Sequence, residues 1–175
     1  MRELALGAAS ALLVATTVVG VTPAAADTNS WTDSVGDVAD IGSDITRVKV
    51  KNNNKALAIR IEVADLTPKQ NGGTQVWVDT KRNRPGPEFV MSGGTGLETD
   101  WNIWPARKWK VKSGSYPLVC PIDMQSNYAK DTVFWKVSPD CMGSYDEVRI
   151  SAEAAIQSTD YSPRRHRFHP WTARG

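Results

Sequence analysis

The chain contains few of the residues on which most hydrolytic enzymes depend. Its 175 residues include only two histidines, and both of them, His166 and His169, stand close to the end of the sequence. A nucleophilic hydrolase needs a serine or cysteine beside a histidine base that a third group orients. No serine stands in a G-x-S-x-G turn, so the sequence argues against a serine or cysteine hydrolase.

Zinc-based and carboxylate-based centres are no better supported. A zinc site needs histidine or cysteine ligands at paired spacing. His166 and His169 are separated by an odd number of positions, which in an extended strand turns them to opposite sides. A surface tail is therefore the preferred interpretation. Glycoside hydrolysis uses two carboxylates, but no pair stands out among the available acids. Those acids include Asp79, Glu88, Glu98, Asp100 and Asp123. We expect no catalytic function.

The sequence also lacks an excess of charge of either sign. Lysine and arginine total 21 and aspartate and glutamate total 19, which leaves a formal net charge of +2. That value is too small to indicate a nucleic-acid binder, and we expect no nucleic-acid partner. Basic side chains do gather in two short segments, 81–84 and 164–167. These basic side chains either form a solvated rim of the domain or contact a polyanion such as teichoic acid.

Only one long apolar run is present, and it lies at the start of the sequence. It extends from about Leu4 to Val21 and is followed by small residues in an A-x-A pattern. A run of this kind is typical of a secretory signal, and it is too short and too rich in alanine and threonine to prefer spanning a membrane. We therefore predict a signal peptide over residues 1–26. Residues 27–175 are expected to form a single secreted, extracellular domain with no membrane contact.

Cysteine is nearly absent as well, with Cys120 and Cys141 as the only two. In an exported protein, two cysteines most often form one disulfide, which for a loop of this size contributes about 3 kcal/mol in the chain-entropy model. Two free reactive thiols are the alternative, and that arrangement is unusual in a secreted chain. We predict a structural Cys120–Cys141 bridge.

No segment shows a convincing helical period with caps. Apolar and polar residues alternate instead, as in 57–63 and 147–156, which places the apolar side chains on one face of a strand. Further alternating runs occupy 48–51, 75–79, 88–92, 107–112 and 132–137. Glycine, proline and asparagine separate these runs. The pattern predicts an all-β protein, an antiparallel β-sandwich of about seven to nine strands.

Four aspartates lie close together near the predicted start of the domain: Asp33, Asp37, Asp40 and Asp44. Calcium takes oxygen ligands from loops that carry several carboxylates. The spacing does not match an EF-hand loop, and no glutamate stands at the closing position. Aspartates also form turns by bonding their own nearby backbone. The segment predicts a turn-rich loop, with a structural calcium ion at some of these aspartates as the second interpretation and no other cofactor.

Tryptophan is plentiful, with seven in the chain. Sugar-binding modules expose aromatic platforms because the apolar faces of sugar rings stack on them, but a small sandwich also needs large side chains in its core. Strand parity predicts an inward orientation for three of them: Trp101, Trp109 and Trp135. Trp77 and Trp104 have the opposite phase, and together with Phe134 they are candidates for a ligand-binding face.

Several segments resemble those of small secreted actinobacterial proteins of unassigned function. They are DITRVKV, VWVDTKRNRPGPEF, KVSPDCMGSYDEVRISAEA and RFHPWTARG. Such proteins are more distantly similar to the DOMON and family 9 carbohydrate-binding domains. The resemblance implies a sandwich with a Cys120–Cys141 bridge, a first loop that helps to hold calcium, and a ligand on one sheet face or rim. The chain departs from the group at Lys81, where a second acid often follows Asp79, and this weakens a metal or sugar site there.

The resemblance also bears on cofactors and on function. DOMON domains that bind haem use methionine and histidine ligands. Met91, Met124 and Met142 are present, but both histidines lie in the tail, so haem is not expected. We expect a secreted, non-catalytic binding module for extracellular or cell-wall carbohydrate. The alternative is a protein-interaction adaptor or inhibitor subunit in a secreted complex.

Overall fold

The structure is a computed structural model that describes residues 27–69, 71–97 and 99–175. The predicted signal peptide, residues 1–26, lies outside the described residues. No helix in the described ranges is long and apolar enough to cross a membrane.

Twelve strands and one short 3₁₀ helix, Pro139–Met142, form the regular structure of the described chain. The strands are β1 (Asp27–Thr32), β2 (Ile45–Asn52), β3 (Leu57–Val63), β4 (Gly73–Asp79), β5 (Phe89–Gly94), β6 (Trp101–Arg107), β7 (Lys110–Val111), β8 (Ile122–Asn127), β9 (Thr132–Val137), β10 (Glu147–Ala155), β11 (Thr159–Ser162) and β12 (Thr172–Ala173). The count exceeds the predicted seven to nine because β7, β11 and β12 have only two to four residues. Strands that short carry no readable alternation.

The strands form two antiparallel sheets. The smaller sheet has the order β1-β2-β3-β9-β8, and the larger sheet has the order β11-β10-β4-β5-β6-β7, with β12 also paired to β10. β11 and β12 pair with different stretches of β10, since β11 takes Ala152–Ala155 and β12 takes Glu147 and Val148. The predicted all-β, antiparallel sandwich-like fold is confirmed.

Alternation along the strands builds the core between the sheets. Residues such as Ile59 and Ile61 of β3 are fully buried against Val76, Val78 and other inward side chains of the larger sheet. Trp135 of β9 is fully buried, as predicted, and its indole N–H donates a hydrogen bond of 3.1 Å to the Thr74 hydroxyl of β4. This bond joins the two sheets across the core.

The predicted disulfide is confirmed, and the free-thiol alternative is wrong. Cys120 and Cys141 are bonded, with their Cα atoms 5.6 Å apart. The bridge connects the segment before β8 to the 3₁₀ helix that follows β9. It therefore fastens a long loop to the end of the smaller sheet.

The prediction of one strand over residues 107–112 is wrong, and so is the core position of Trp109. Lys108 and Trp109 have positive φ angles of 51° and 60°, and they form the turn of a tight hairpin between β6 and β7. Two consecutive residues with positive φ are the mark of a two-residue hairpin turn. Trp109 is consequently half-buried outside the sandwich.

Trp101 also departs from its predicted core position. Its indole N–H reaches the carbonyl oxygen of Ile122 in the opposite sheet, at 3.2 Å, so its side chain does point toward the smaller sheet. Trp101 is, however, the first residue of β6 and remains 38% exposed. Strand parity gave the direction of this side chain but not its depth.

Candidate functional site

Trp77 and Trp104, for which strand parity predicts an outward orientation, both lie on the outer face of the larger sheet. The strand register places Ser151, Trp77, Val90 and Trp104 in one row across β10, β4, β5 and β6. Trp77 and Trp104 are both half-buried and belong to the same face. Neighbouring strands lie about 4.8 Å apart, so Val90 separates the two rings by two strand spacings.

Phe134, the third residue of the predicted platform, lies elsewhere. It belongs to β9 of the smaller sheet, where it is half-buried and has the guanidinium of Arg60 5.8 Å from its ring centroid. Its side chain points outward, as its parity predicts. Because it belongs to the smaller sheet, however, it faces the side of the molecule opposite to Trp77 and Trp104. The structure therefore does not bring Phe134 together with Trp77 and Trp104.

The turn between β6 and β7 adds a further ring to Trp77. Trp109 meets Trp77 edge to face, with ring centroids 5.8 Å apart. It also stacks on two residues of the C-terminal segment: His166 at 5.1 Å and Phe168 at 4.5 Å. Aromatic pairs at such distances are favourable beyond the area that they bury. The cluster thus holds residues 166–168 against the outer face of the larger sheet.

A cavity of about 190 Å³ opens beside this cluster. Four rings border it, those of Trp77, Trp109, Tyr161 and His166. The remaining lining is polar and comes from Gln75, Ser151, Glu153 and Arg165. Ligand sites commonly combine an aromatic lining with a few convergent polar groups. The volume is below that of sites for drug-sized molecules, which suits a single small ring.

Two polar groups of this cavity have unused bonding capacity. The Ser151 side chain is buried, and its hydroxyl oxygen has no hydrogen-bond partner among the described residues. Among the described residues, the one hydrogen bond to the Glu153 carboxylate is a long bond of 3.5 Å from the indole N–H of Trp77. A buried polar group without a partner costs free energy, which applies to Ser151. The Glu153 carboxylate is half-buried and can accept further hydrogen bonds from a ligand.

A second group of charged residues lies nearby on the same face, and it is structural. The buried Asp79 carboxylate pairs with Arg149 at 2.7 Å, and the Arg149 guanidinium lies 4.7 Å from the rings of both Phe168 and Trp171. Burial raises the pKa of the neighbouring Glu88 carboxyl, and the negative charge of Asp79 raises it further, whereas the N–H of Thr80 lowers it. Phe168 and Trp171 of the C-terminal segment cover Arg149, the partner of Asp79. Asp79 and Glu88 are themselves buried, so this group acts in packing.

Three of the four predicted aspartates, Asp33, Asp37 and Asp44, lie near Asp160, a residue that the sequence did not indicate. One carboxylate oxygen each from Asp37, Asp44 and Asp160 lie within 4.8 Å of one another. Asp33 lines the same hollow as Asp37 and Asp160. Burial raises the pKa of Asp160 above its ordinary value, and the charges of Asp37 and Asp33 add to the effect, against the backbone hydrogen bonds from Ile45 and Tyr161.

Asp40 is not part of this group. Its carboxylate accepts hydrogen bonds from the Ser43 hydroxyl at 2.7 Å and from the backbone N–H groups of Gln157 and Gly42. Burial opposes ionisation of Asp40, but these hydrogen bonds together lower its pKa below the ordinary value. Asp40 therefore serves as the turn residue that the sequence also suggested, and it ties the loop to the β10–β11 hairpin.

The prediction of a surface tail around the two histidines is wrong for His169. Its side chain is buried, stacks on Trp31 at 4.3 Å and hydrogen-bonds the Ser162 hydroxyl at 3.1 Å. Burial lowers the pKa of His169 to about 4, although the charge of Asp33 acts in the other direction. His166 is exposed and packs on Trp109 outside the sheet. Residues 163–171 do not form a strand, so the strand argument for opposite sides does not apply to the two histidines.

Some residues of the site carried a signal in the sequence and others did not. Ser151 and Glu153 were not predicted as site residues. They have the opposite phase in β10 to the core residues Val148, Ile150 and Ala152, so the parity argument that selected Trp77 could have selected them as well. Trp109, Tyr161 and Asp160 reach the site through a hairpin turn and a four-residue strand. Neither of these elements has a periodic pattern that the sequence could reveal.

No protein-family model matches this chain, and no curated protein sequence matches it. The similarity to DOMON and family 9 carbohydrate-binding domains therefore stays a prediction.

Proposed function

We propose that this protein is a secreted, non-catalytic carbohydrate-binding module whose site is the cavity beside Trp77. The single observation that carries the proposal is the composition of that cavity. Aromatic rings border it, and its polar lining includes the Glu153 carboxylate and Ser151, whose buried hydroxyl has no hydrogen-bond partner among the described residues. Among the surfaces predicted from the sequence, this one combines aromatic rings with polar groups that suit a ligand.

The chemistry of the lining matches that of a sugar ring. The faces of a pyranose are apolar C–H surfaces that stack on aromatic rings, and its edge carries adjacent hydroxyl groups. The Glu153 carboxylate accepts hydrogen bonds, while the Gln75 amide and the Ser151 hydroxyl both donate and accept. Hydroxyl groups need partners of both kinds. Arg165 and His166 at the rim favour sugars that carry a carboxylate or phosphate group.

Trp104 extends this surface beyond the cavity. It lies in the row of Trp77 with Val90 between them, and it is not part of the cavity lining. We assign to it the next unit of an oligosaccharide. Trp104→Ala is accordingly expected to weaken binding of oligosaccharides and to leave binding of a single sugar unchanged.

The test is a depletion assay on the purified protein with insoluble polysaccharides and isolated bacterial cell walls. The wild type is expected to bind saturably to at least one of them. Trp77→Ala and Glu153→Gln should each weaken that binding roughly tenfold, a loss of about 1.4 kcal/mol, with the melting temperature measured in parallel. Phe134→Ala is the matched control, because it removes a half-buried ring from the opposite outer face.

Two results would count against the proposal. Binding that falls with Phe134→Ala and not with Trp77→Ala would move the site to the smaller sheet. The absence of saturable depletion by any polysaccharide or cell wall would contradict a carbohydrate ligand altogether.

A protein partner is the second candidate function, and one observation favours it. Val111, Tyr116 and Val119 are large apolar side chains that lie exposed within the short segment 111–119. Three large exposed apolar side chains within nine positions favour a protein-binding surface. An adaptor or inhibitor subunit would co-purify in stoichiometric amount with one protein from the culture medium, and Tyr116→Ser combined with Val119→Ser would abolish that association.

A further inference from the structure

The loop between β1 and β2 folds back toward β11 and brings acidic residues together. Asp37 and Asp44 of this loop meet Asp160 of β11, with one carboxylate oxygen of each residue within 4.8 Å of the other two. Asp44 is 1% exposed and Asp160 is 6% exposed, while Asp37 faces solvent. The group is therefore buried on the protein side and open on one other side.

Two carboxylate oxygens at this place are buried and have no hydrogen-bond partner among the described residues. They are Asp44 Oδ1 and Asp33 Oδ2. The second oxygen of Asp44 accepts the N–H of Gly36 at 2.7 Å, and Asp33 accepts the N–H of Ser34 at 2.9 Å. Buried polar atoms in folded proteins nearly always have a partner, and an unpaired buried charge is far more costly than an unpaired neutral group.

No basic side chain within the described ranges forms an ion pair with any of these four aspartates. The carboxylates of Asp37, Asp44 and Asp160 instead lie close to one another. Ionised carboxylates at such distances repel one another, and a cation bound between them favours their charged form.

We propose that Asp33, Asp37, Asp44 and Asp160 bind one divalent cation of the calcium type. The ligand atoms are all carboxylate oxygens, which suit a hard cation and not zinc, since zinc in proteins favours nitrogen and sulfur. Calcium tolerates the irregular geometry that a loop provides, whereas magnesium demands a near-ideal octahedron and retains its water. The observations behind this proposal are separate from those behind the proposed carbohydrate binding.

The rival occupant of the hollow is an arginine of this chain. Arg164 and Arg165 line the same hollow of about 410 Å³ as Asp33, Asp37 and Asp160. The guanidinium of Arg165 lies 6.0 Å from the ring of Tyr161, so it already has a contact of its own. If an arginine neutralised the aspartates, the protein would not bind added cation, and its melting temperature would be the same in calcium and in chelator.

Calorimetric titration of the chelator-treated protein with calcium chloride tests the proposal directly. One ion per chain is expected, with magnesium chloride binding more weakly, and calcium should raise the melting temperature. Asp37→Asn is the best variant, because Asp37 is exposed and its carboxylate makes no hydrogen bond to another described residue, so its loss should leave the fold intact. We expect it to weaken calcium binding at least tenfold, and Asp146→Asn, another exposed aspartate, to leave binding unchanged.

A second measurement needs no variant. Terbium should bind in place of calcium and show emission sensitised by Tyr161, which directly follows Asp160, and calcium should displace it. The proposal is overturned if the wild type shows neither a saturable calcium isotherm nor displaceable terbium emission. The assignment of the ligand residues is wrong if Asp37→Asn binds calcium as tightly as the wild type.

Discussion

At the scale of single residues, His169 connects burial to pH-dependent stability. The folded protein holds its pKa at about 4, compared with the ordinary value of 6.5 that it regains on unfolding. Between these two values the unfolded chain binds a proton that the folded chain does not bind. The free energy of unfolding is therefore expected to fall as the pH decreases from about 6.5 to 4, by roughly 3 kcal/mol in total for this residue. Above pH 6.5 the residue makes no pH-dependent contribution.

Urea denaturation at several pH values between 4 and 7 measures this effect. His169→Gln is the control, because its amide can still bond the Ser162 hydroxyl but does not titrate in this range. The variant should lose stability less steeply than the wild type as the pH falls. Equal slopes for the two proteins would show that His169 is not the residue responsible.

Side-chain direction was largely predictable from the sequence, whereas side-chain surroundings were not. Parity correctly turned Trp135 into the core and Trp77 and Trp104 outward, because a strand has a strict period of two. The same rule failed for Trp109, since the positive φ angles of Lys108 and Trp109 end one strand and begin another. It also could not show that Phe134 belongs to the other sheet.

At the scale of elements, long strands were predictable and short ones were not. The run 132–137 coincides with β9, and the run 147–156 differs from β10 by one residue, because each carries several full periods of alternation. β11 has four residues and is defined by its pairing with β10. The pairing of β11 at the edge of the larger sheet is what brings Asp160 to the other aspartates. The same pairing allows Asp160 to accept a hydrogen bond from the N–H of Ile45, 115 residues away.

The disulfide acts at the same scale, since it fastens the segment before β8 to the 3₁₀ helix after β9. Cys120→Ser combined with Cys141→Ser should lower the free energy of unfolding by about 3 kcal/mol, mainly because the unfolded chain gains conformational freedom. Urea denaturation measures the change. Reduction of the wild-type protein should reproduce it, and an unchanged urea midpoint in both experiments would show that the bridge does not stabilise the fold.

At the scale of the whole molecule, the aspartate group and the aromatic cavity share a wall. Tyr161 and Arg165 line both the cavity beside Trp77 and the hollow that contains Asp33, Asp37 and Asp160. The backbone N–H of Tyr161 also donates a hydrogen bond of 2.6 Å to Asp160. A cation that fixes the Asp160 carboxylate therefore fixes the backbone from which Tyr161 reaches the cavity. This arrangement gives a physical route by which one site affects the other.

The two proposed sites are accordingly expected to be coupled. Chelator should weaken carbohydrate binding by the wild type roughly tenfold, which lies within the usual range of coupling between two sites in one protein. Coupling of equilibrium affinities is reciprocal, so a saturating carbohydrate should tighten calcium binding by the same factor. Two calorimetric titrations measure both sides: carbohydrate into the protein with calcium or chelator, and calcium into the protein with and without carbohydrate.

Asp37→Asn should bind carbohydrate equally in calcium and in chelator at the calcium concentration that saturates the wild type. If the wild type itself shows equal carbohydrate affinity in both buffers, then the shared wall is rigid without the cation, and the coupling is wrong even where each site binds its own ligand.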